Sequence, residues 1–114
     1  MKRETLQGWL DNEPVILTEA GVTQRLREHP TLQVHPNLDL ALLLLEEEGR
    51  RALADIYLEY LHIAAEAGLP IIMEAPTWRI NLPRARAAGQ DPARLNRAAV
   101  DFLREVFEAL RDAT

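Results

Sequence analysis

Residues 14–21 have the sequence PVILTEAG, in which a continuous apolar run is followed by a glutamate and a glycine. An apolar run of this length, bounded by polar residues 11–13 and by Ala20-Gly21, is typical of a strand buried on both faces, as in parallel sheets. Glu19 follows the C-terminal end of this predicted strand, and Gly21 allows the backbone to turn sharply or to approach a ligand closely. We therefore predict a first strand over residues 14–18.

A second run of the same character, LPIIM, lies at residues 69–73 and again has a proline near its beginning. A proline is tolerated there because the first residues of a strand do not all need a hydrogen-bond donor.

Amphipathic spacing and helix-end residues predict the helical segments. They are a weakly indicated piece at 1–9, a helix at 22–29, a helix at 38–45 capped by Asn37, a helix at 50–67 ended by Gly68, and, after a long connection at 74–90, a helix opened by Asp91-Pro92.

The order strand, helices, strand, helix is the signature of right-handed parallel βαβ units. Two parallel strands leave both edges of a small sheet open, and such a unit seldom stands alone. A (β/α)8 barrel needs eight strands and about 250 residues. We therefore predict the α/β class, with residues 1–114 as a single partial domain that forms the first two βα units of a TIM-type barrel and is incomplete as it stands.

The composition of the 114 residues excludes several classes of protein. There is no cysteine, so disulfides, a cysteine nucleophile and a thiolate zinc site are excluded within these residues. The net charge of -5 has the wrong sign for binding nucleic acid or an anionic membrane surface. The longest apolar run, residues 40–45, is too short to span a bilayer, and residues 1–10 lack the apolar core of a secretory signal. We therefore expect a cytoplasmic protein.

Several short motifs follow one another in an order and spacing that is more specific than any of them alone. They are Ile16-Leu17-Thr18-Glu19-Ala20-Gly21, the run Ala41 to Leu45, Glu47-Glu48-Gly49-Arg50, Tyr57-Leu58-Glu59-Tyr60-Leu61, Ala64-Ala65-Glu66-Ala67-Gly68 and Ala75-Pro76-Thr77-Trp78-Arg79. Together they resemble the N-terminal part of the homocysteine S-methyltransferase family, over about residues 15–110. The resemblance implies a zinc-dependent barrel enzyme that transfers a methyl group to the sulfur of homocysteine and makes methionine.

The resemblance also implies a substrate site. In that family the acidic residue after the first strand contacts the amino acid part of homocysteine, and Glu19 is similar in position; a carboxylate suits an ammonium group. The implied substrate-binding residues are Glu19, Gly21, Thr77 and Trp78. The family usually has Asp-Gly-Gly where this chain has Glu19-Ala20-Gly21, and Glu74 places a second carboxylate near the site.

The family's zinc ligands are cysteines on later strands, which this chain does not contain. We therefore expect no catalytic residue and no metal ligand among these residues, although zinc is the cofactor that the family implies. The chain is expected to be an N-terminal fragment that is inactive alone and pairs with the missing remainder of the barrel or with itself.

Each residue assigned to a site has another explanation that does not depend on the resemblance. Glu19 is also explained as a charge that complements the dipole of the helix after it. Glu74 fits a solvated carboxylate or an ion pair with Arg79, and Trp78 fits a packing anchor for a long connection. The three histidines, His29, His35 and His62, lack the spacing of a shared metal site. The alternative function is a catalytically inactive short α/β module that binds a partner or assembles with itself to cover its sheet edges.

Overall fold

Helices dominate the computed structural model, which describes residues 5–36, 38 and 40–113. In chain order the elements are α1 (Leu6–Asn12), β1 (Leu17–Thr18), α2 (Val22–Arg27), a 3-10 helix (Ala41–Leu45), α3 (Glu47–Ala67), β2 (Ile71–Ile72), α4 (Leu82–Ala87) and α5 (Pro92–Ala113). Helices α3 and α5 have 21 and 22 residues and pack against each other. Both also contact the 3-10 helix, and α2 contacts α3.

The predicted fold class is wrong. The structure is 62% helix and 5% strand, with a two-stranded parallel sheet that does not look like two βα units of a TIM barrel. Parallel pairing of the two runs was predicted correctly, in the register Leu17 to Ile71 and Thr18 to Ile72. The ladder, however, takes in only two residues of each five-residue run. A short apolar run indicates a buried segment, but it does not indicate how many of its residues pair with another strand. The prediction from these runs therefore gave a larger sheet than the structure has.

The main core lies where α3 and α5 pack together. Leu53, Tyr57 and Leu61 of α3 and Phe102 and Val106 of α5 are buried, as their helical spacing predicts. The rings of Tyr57 and Phe102 meet edge to face, with centroids 5.2 Å apart and planes at 76°. Such an aromatic pair adds about 0.5–1.5 kcal/mol beyond the apolar area that it buries. The two long helices therefore hold the fold together.

The ends of the long helices follow their local sequence. Helix α3 has Glu47 and Glu48 in its first turn, where acidic side chains complement the helix dipole. It ends before Gly68, whose φ of 67° lies in the left-handed region that favours glycine. At the start of α5, Asp91 Oδ1 accepts a hydrogen bond from the backbone N–H of Ala93 at 3.0 Å. The predicted end of α3 at Gly68 and the predicted start of α5 at Asp91-Pro92 are confirmed, whereas α3 begins at Glu47 rather than at residue 50.

The 3-10 helix packs very closely against the first turn of α3. A Cβ atom added at Gly49 would lie 2.6 Å from the carbonyl oxygen of Leu43, so only glycine fits there. A longer helix was predicted at residues 38–45, but the structure has only the 3-10 helix over Ala41–Leu45. The predicted cap, Asn37, lies outside the described residues.

Two further elements differ from the prediction. The connection at 74–90 contains the short helix α4, which begins after Asn81; the side chain of Asn81 accepts a hydrogen bond from the backbone N–H of Arg84 at 3.0 Å. This N-cap was visible in the sequence as an asparagine two residues before Pro83. Near the N-terminus, α1 spans residues 6–12 rather than 1–9, and residues 1–4 lie outside the described part.

Candidate functional site

A cavity of about 230 Å³ lies beside the C-terminal ends of both strands. Because β1 and β2 are parallel, the residues that follow them meet at the same edge of the sheet. Glu19 directly follows β1, and Glu74 stands two residues after β2. The lining residues are Glu19, Ala20, Gly21, Val22, Thr23, Leu40, Tyr57, Glu74, Ala75, Pro76 and Trp78.

The carboxylate of Glu19 joins the two strand ends. Its Oε1 atom accepts a hydrogen bond from the backbone N–H of Glu74 at 3.2 Å. Its Oε2 atom is buried and has no hydrogen-bond partner within the described part of the chain. Leaving a buried polar group without a partner costs about 1–3 kcal/mol, and more where the group is charged. An oxygen in this state calls for a specific explanation.

Tyr57 lines the cavity and contacts the backbone just beyond the second strand. Its hydroxyl donates a hydrogen bond to the carbonyl oxygen of Glu74 at 2.7 Å. Burial of the side chain, with smaller contributions from the negative charges of Glu19 and Glu74, raises the pKa of Tyr57 far above its ordinary value. Tyr57 therefore keeps its proton, and with it its role as a donor, across the physiological range of pH.

Tyr60, about one turn further along α3, holds the first strand end. Its hydroxyl donates to the carbonyl oxygen of Ala20. The next residue, Gly21, has a φ of 68° and is the N-cap of α2, whose first residues, Val22 and Thr23, also line the cavity. Residues three apart on a helix share a face, so one side of α3 fixes both strand ends through two tyrosine hydroxyls.

Trp78 also lines the cavity, and the residue is 76% exposed. The guanidinium carbon of Arg79 lies over the Trp78 ring, 4.4 Å from its centroid, which is cation–π distance. Thr77 does not line the cavity. Its backbone N–H donates to the carbonyl oxygen of Ala75 at 2.7 Å, and its hydroxyl contacts the same oxygen at 3.4 Å.

Three of the four residues predicted for substrate binding, Glu19, Gly21 and Trp78, thus line one cavity, whereas Thr77 closes the turn beside it. Tyr57 and Tyr60 were not among the predicted site residues, because both fit the apolar spacing of the helix predicted at 50–67. Their hydroxyls were the available signal, since a tyrosine at the margin of a core usually directs its polar end to a hydrogen-bond partner.

The described residues do not fit the zinc that the resemblance implies. A zinc site uses three or four protein ligands, and the cavity offers only the carboxylates of Glu19 and Glu74. Across residues 5–36, 38 and 40–113, no group of three or more histidine, cysteine, aspartate or glutamate side chains is placed to hold a metal ion. His29 and His35 instead accept hydrogen bonds from nearby backbone N–H groups, of Thr31 and Leu38 respectively.

No model of a known protein family, no curated protein and no solved structure matches this chain. No helix in the described part of the chain is long and apolar enough to cross a membrane.

Proposed function

We propose that the cavity beside the strand ends binds the ammonium group of a small amino acid, and that homocysteine, the substrate implied by the sequence resemblance, is that ligand. The observation that carries this proposal is the buried Oε2 atom of Glu19, which has no partner among the described residues. An ammonium group supplies both the hydrogen-bond donor and the opposite charge that this oxygen needs. Glu74 adds a second negative charge to the lining of the cavity.

The rest of the cavity suits a small ligand with an apolar part. Its volume of about 230 Å³ lies below the range of about 300–1,000 Å³ that is usual for drug-sized molecules. Val22, Leu40 and Pro76 provide apolar wall beside the carboxylates. A short thioalkyl chain such as that of homocysteine would contact these residues while its ammonium group meets Glu19.

Calorimetric titration with reduced homocysteine tests this proposal. We expect saturable binding, and we expect 4-mercaptobutyrate, which lacks the amino group, to bind at least about ten-fold more weakly. Glu19→Gln keeps the shape of the side chain and removes its charge, so homocysteine affinity should fall by about ten-fold or more. Glu108→Gln, on the exposed face of α5, is the matched control and should bind like the parent chain.

Equal affinity for homocysteine and 4-mercaptobutyrate, or unchanged affinity in Glu19→Gln, would contradict the proposal. Under this proposal the described residues bind the substrate of the methyl transfer that the resemblance implies. The methyl transfer itself stays a prediction. A cytoplasmic location, where homocysteine is available, belongs to the same proposal.

A second candidate function is self-association, which the surface of α1 favours. Helix α1 has no buried residue, and Leu6 and Leu10, four residues apart on one face, are 55% and 60% exposed. A face of this kind can cover itself against a second copy about a two-fold axis. Light scattering after size exclusion should then show a dimer, and the Leu6→Gln, Leu10→Gln double variant should be a monomer. A monomeric parent chain would remove this candidate.

A further inference from the structure

Helix α5 carries a second apolar row beside the one that forms the core. The row consists of Val100, Leu103, Phe107 and Leu110, whose alternating steps of three and four residues are those of the apolar positions in a coiled coil. Val100 and Phe107 are 43% and 42% exposed, whereas Leu103 and Leu110 are half-buried against the core. Residues at this spacing share one helix face, so α5 has an apolar strip that the described residues leave partly uncovered.

Four exposed residues of alternating charge border this apolar row. They are Arg97, Asp101, Arg104 and Glu108. Each arginine stands three positions before one of the two exposed apolar residues, which places it on the adjoining part of the helix surface. None of the four side chains forms an ion pair within residues 5–36, 38 and 40–113, although Glu105 of the same helix pairs with Arg50.

The apolar row is complementary to itself. A two-fold axis perpendicular to α5 and near Leu103 sets the α5 helix of a second copy antiparallel to the first. Val100 then lies opposite Phe107 of the second copy, and the two Leu103 side chains meet. The same row in reverse order therefore covers the apolar strip, as an isologous contact requires.

The bordering charges complement one another about nearly the same axis. Arg97 lies opposite Glu108 of the second copy, to within about one residue, or about 1.5 Å, along the helix. Asp101 lies opposite Arg104 of the second copy with the same offset. The two-fold axis repeats both contacts. Exposed ion pairs of this kind contribute little affinity, but they disfavour arrangements that bring like charges together. The alternating order of charges thus favours a second copy over an anionic membrane surface, which the two carboxylates would repel.

We propose that this face of α5 binds a second copy of the chain in an antiparallel, two-fold dimer. The dimer does not depend on the ligand of the strand-end cavity, and it assigns self-association to α5 rather than to α1. A contact made by one helix from each copy is smaller than a standard interface, so we expect a dissociation constant on the order of 100 µM. Well below that concentration the chain is a monomer, in which exposed replacements such as Phe107→Ala and Glu108→Gln leave the fold unchanged.

Charge exchange between two copies tests this geometry. Asp101→Arg brings two positive charges together across the axis, and Arg104→Asp brings two negative charges together, so each variant should dimerise at least about ten-fold more weakly. An equimolar mixture of the two variants should form a mixed dimer, because each charge then meets its opposite. Sedimentation velocity between about 10 µM and about 1 mM measures the parent chain, each variant and the mixture. Asp55→Arg, an exposed charge reversal on α3, is the matched control, and circular dichroism verifies that each variant is folded.

A mixed dimer from two variants that do not dimerise alone supports the antiparallel contact. The inference is overturned by a parent chain that stays monomeric at about 1 mM, by single variants that dimerise like the parent, or by a mixture that stays monomeric. A monomeric chain that binds phosphatidylglycerol vesicles through this face would also overturn it. If the charge variants dimerise like the parent and Leu6→Gln, Leu10→Gln abolishes the dimer, α1 holds the copies together, and the second candidate function stands without α5.

Discussion

The helical core is held by apolar packing, whereas the strand-end cavity is held by a few hydrogen bonds. Where α3 and α5 meet, the buried side chains are apolar and well packed, with the edge-to-face contact of Tyr57 and Phe102 at the centre. At the strand ends, a few hydrogen bonds hold two short segments, and the Oε2 atom of Glu19 is buried with no partner among the described residues. The helical core therefore supplies stability, whereas the buried Oε2 atom at the strand ends lowers it.

The largest expected effect lies in the core. Phe102→Ala removes the ring that contacts Tyr57, and the cavity left behind should lower the free energy of unfolding by about 3–5 kcal/mol. Phe107→Ala is the matched control on the same helix, because Phe107 is 42% exposed. Urea unfolding measures both. If the two variants lose equal stability, α5 does not bury the face that the structure assigns to the core.

A smaller effect is expected where the 3-10 helix meets α3. Alanine normally favours a helix over glycine by about 1 kcal/mol, but a Cβ atom at Gly49 would lie 2.6 Å from the carbonyl oxygen of Leu43. The overlap should outweigh the helix preference, and Gly49→Ala should lower the free energy of unfolding by about 1–3 kcal/mol. Chemical denaturation measures this change. A stabilised variant would show that the two helices do not approach this closely.

Glu19→Gln should change stability in the opposite direction. In the absence of ligand it removes the negative charge from a carboxylate whose buried Oε2 atom has no partner among the described residues, so the free energy of unfolding should rise by about 1 kcal/mol even though ligand affinity is expected to fall. Glu108→Gln on exposed α5 should leave stability unchanged. The measurement is thermal unfolding without and with homocysteine. A destabilised Glu19→Gln would place Glu19 among the structural groups rather than the ligand-binding ones.

The smallest expected effect concerns the hydroxyl of Tyr57. Tyr57→Phe keeps the ring in the core and removes the hydrogen bond to the carbonyl oxygen of Glu74, which should cost about 1 kcal/mol at neutral pH. Tyr60→Phe removes the equivalent bond to Ala20 and is the natural comparison. Urea unfolding of both variants compares the two strand-end bonds. No loss in Tyr57→Phe would mean that the bond does not hold β2 in place.

The same hydroxyl predicts a dependence on alkaline pH. The pKa of Tyr57 is raised in the folded state above the value near 10 of an unfolded tyrosine. Because the folded state holds this proton more tightly, its stabilising effect is complete below about pH 10 and is lost as the pH rises toward the folded pKa. The parent chain should therefore lose stability above about pH 10 more steeply than Tyr57→Phe. Parallel pH profiles for the two chains would contradict the burial of this hydroxyl.

Much of the helical region could be predicted from the sequence. The spacing of Leu53, Tyr57 and Leu61 indicated the buried face of α3, and Gly68 and Asp91-Pro92 indicated helix ends that the structure confirms. Glu19 and Trp78 were also predicted for one site, and both line the cavity. These features follow from local patterns, because a helix that buries one face must repeat apolar residues every three or four positions.

The extent of the sheet and the state of Glu19 were decided by the tertiary structure. Two apolar runs of similar composition pair over only two residues each, and the partner of Glu19 Oε1 is a backbone N–H 55 positions away. Tyr57 and Tyr60 meet the strand ends for the same reason, through contacts 17 and 40 positions apart. Local spacing determines which face of a helix is apolar, but only the packing of distant segments determines how far two strands pair and which oxygen is buried without a partner among the described residues.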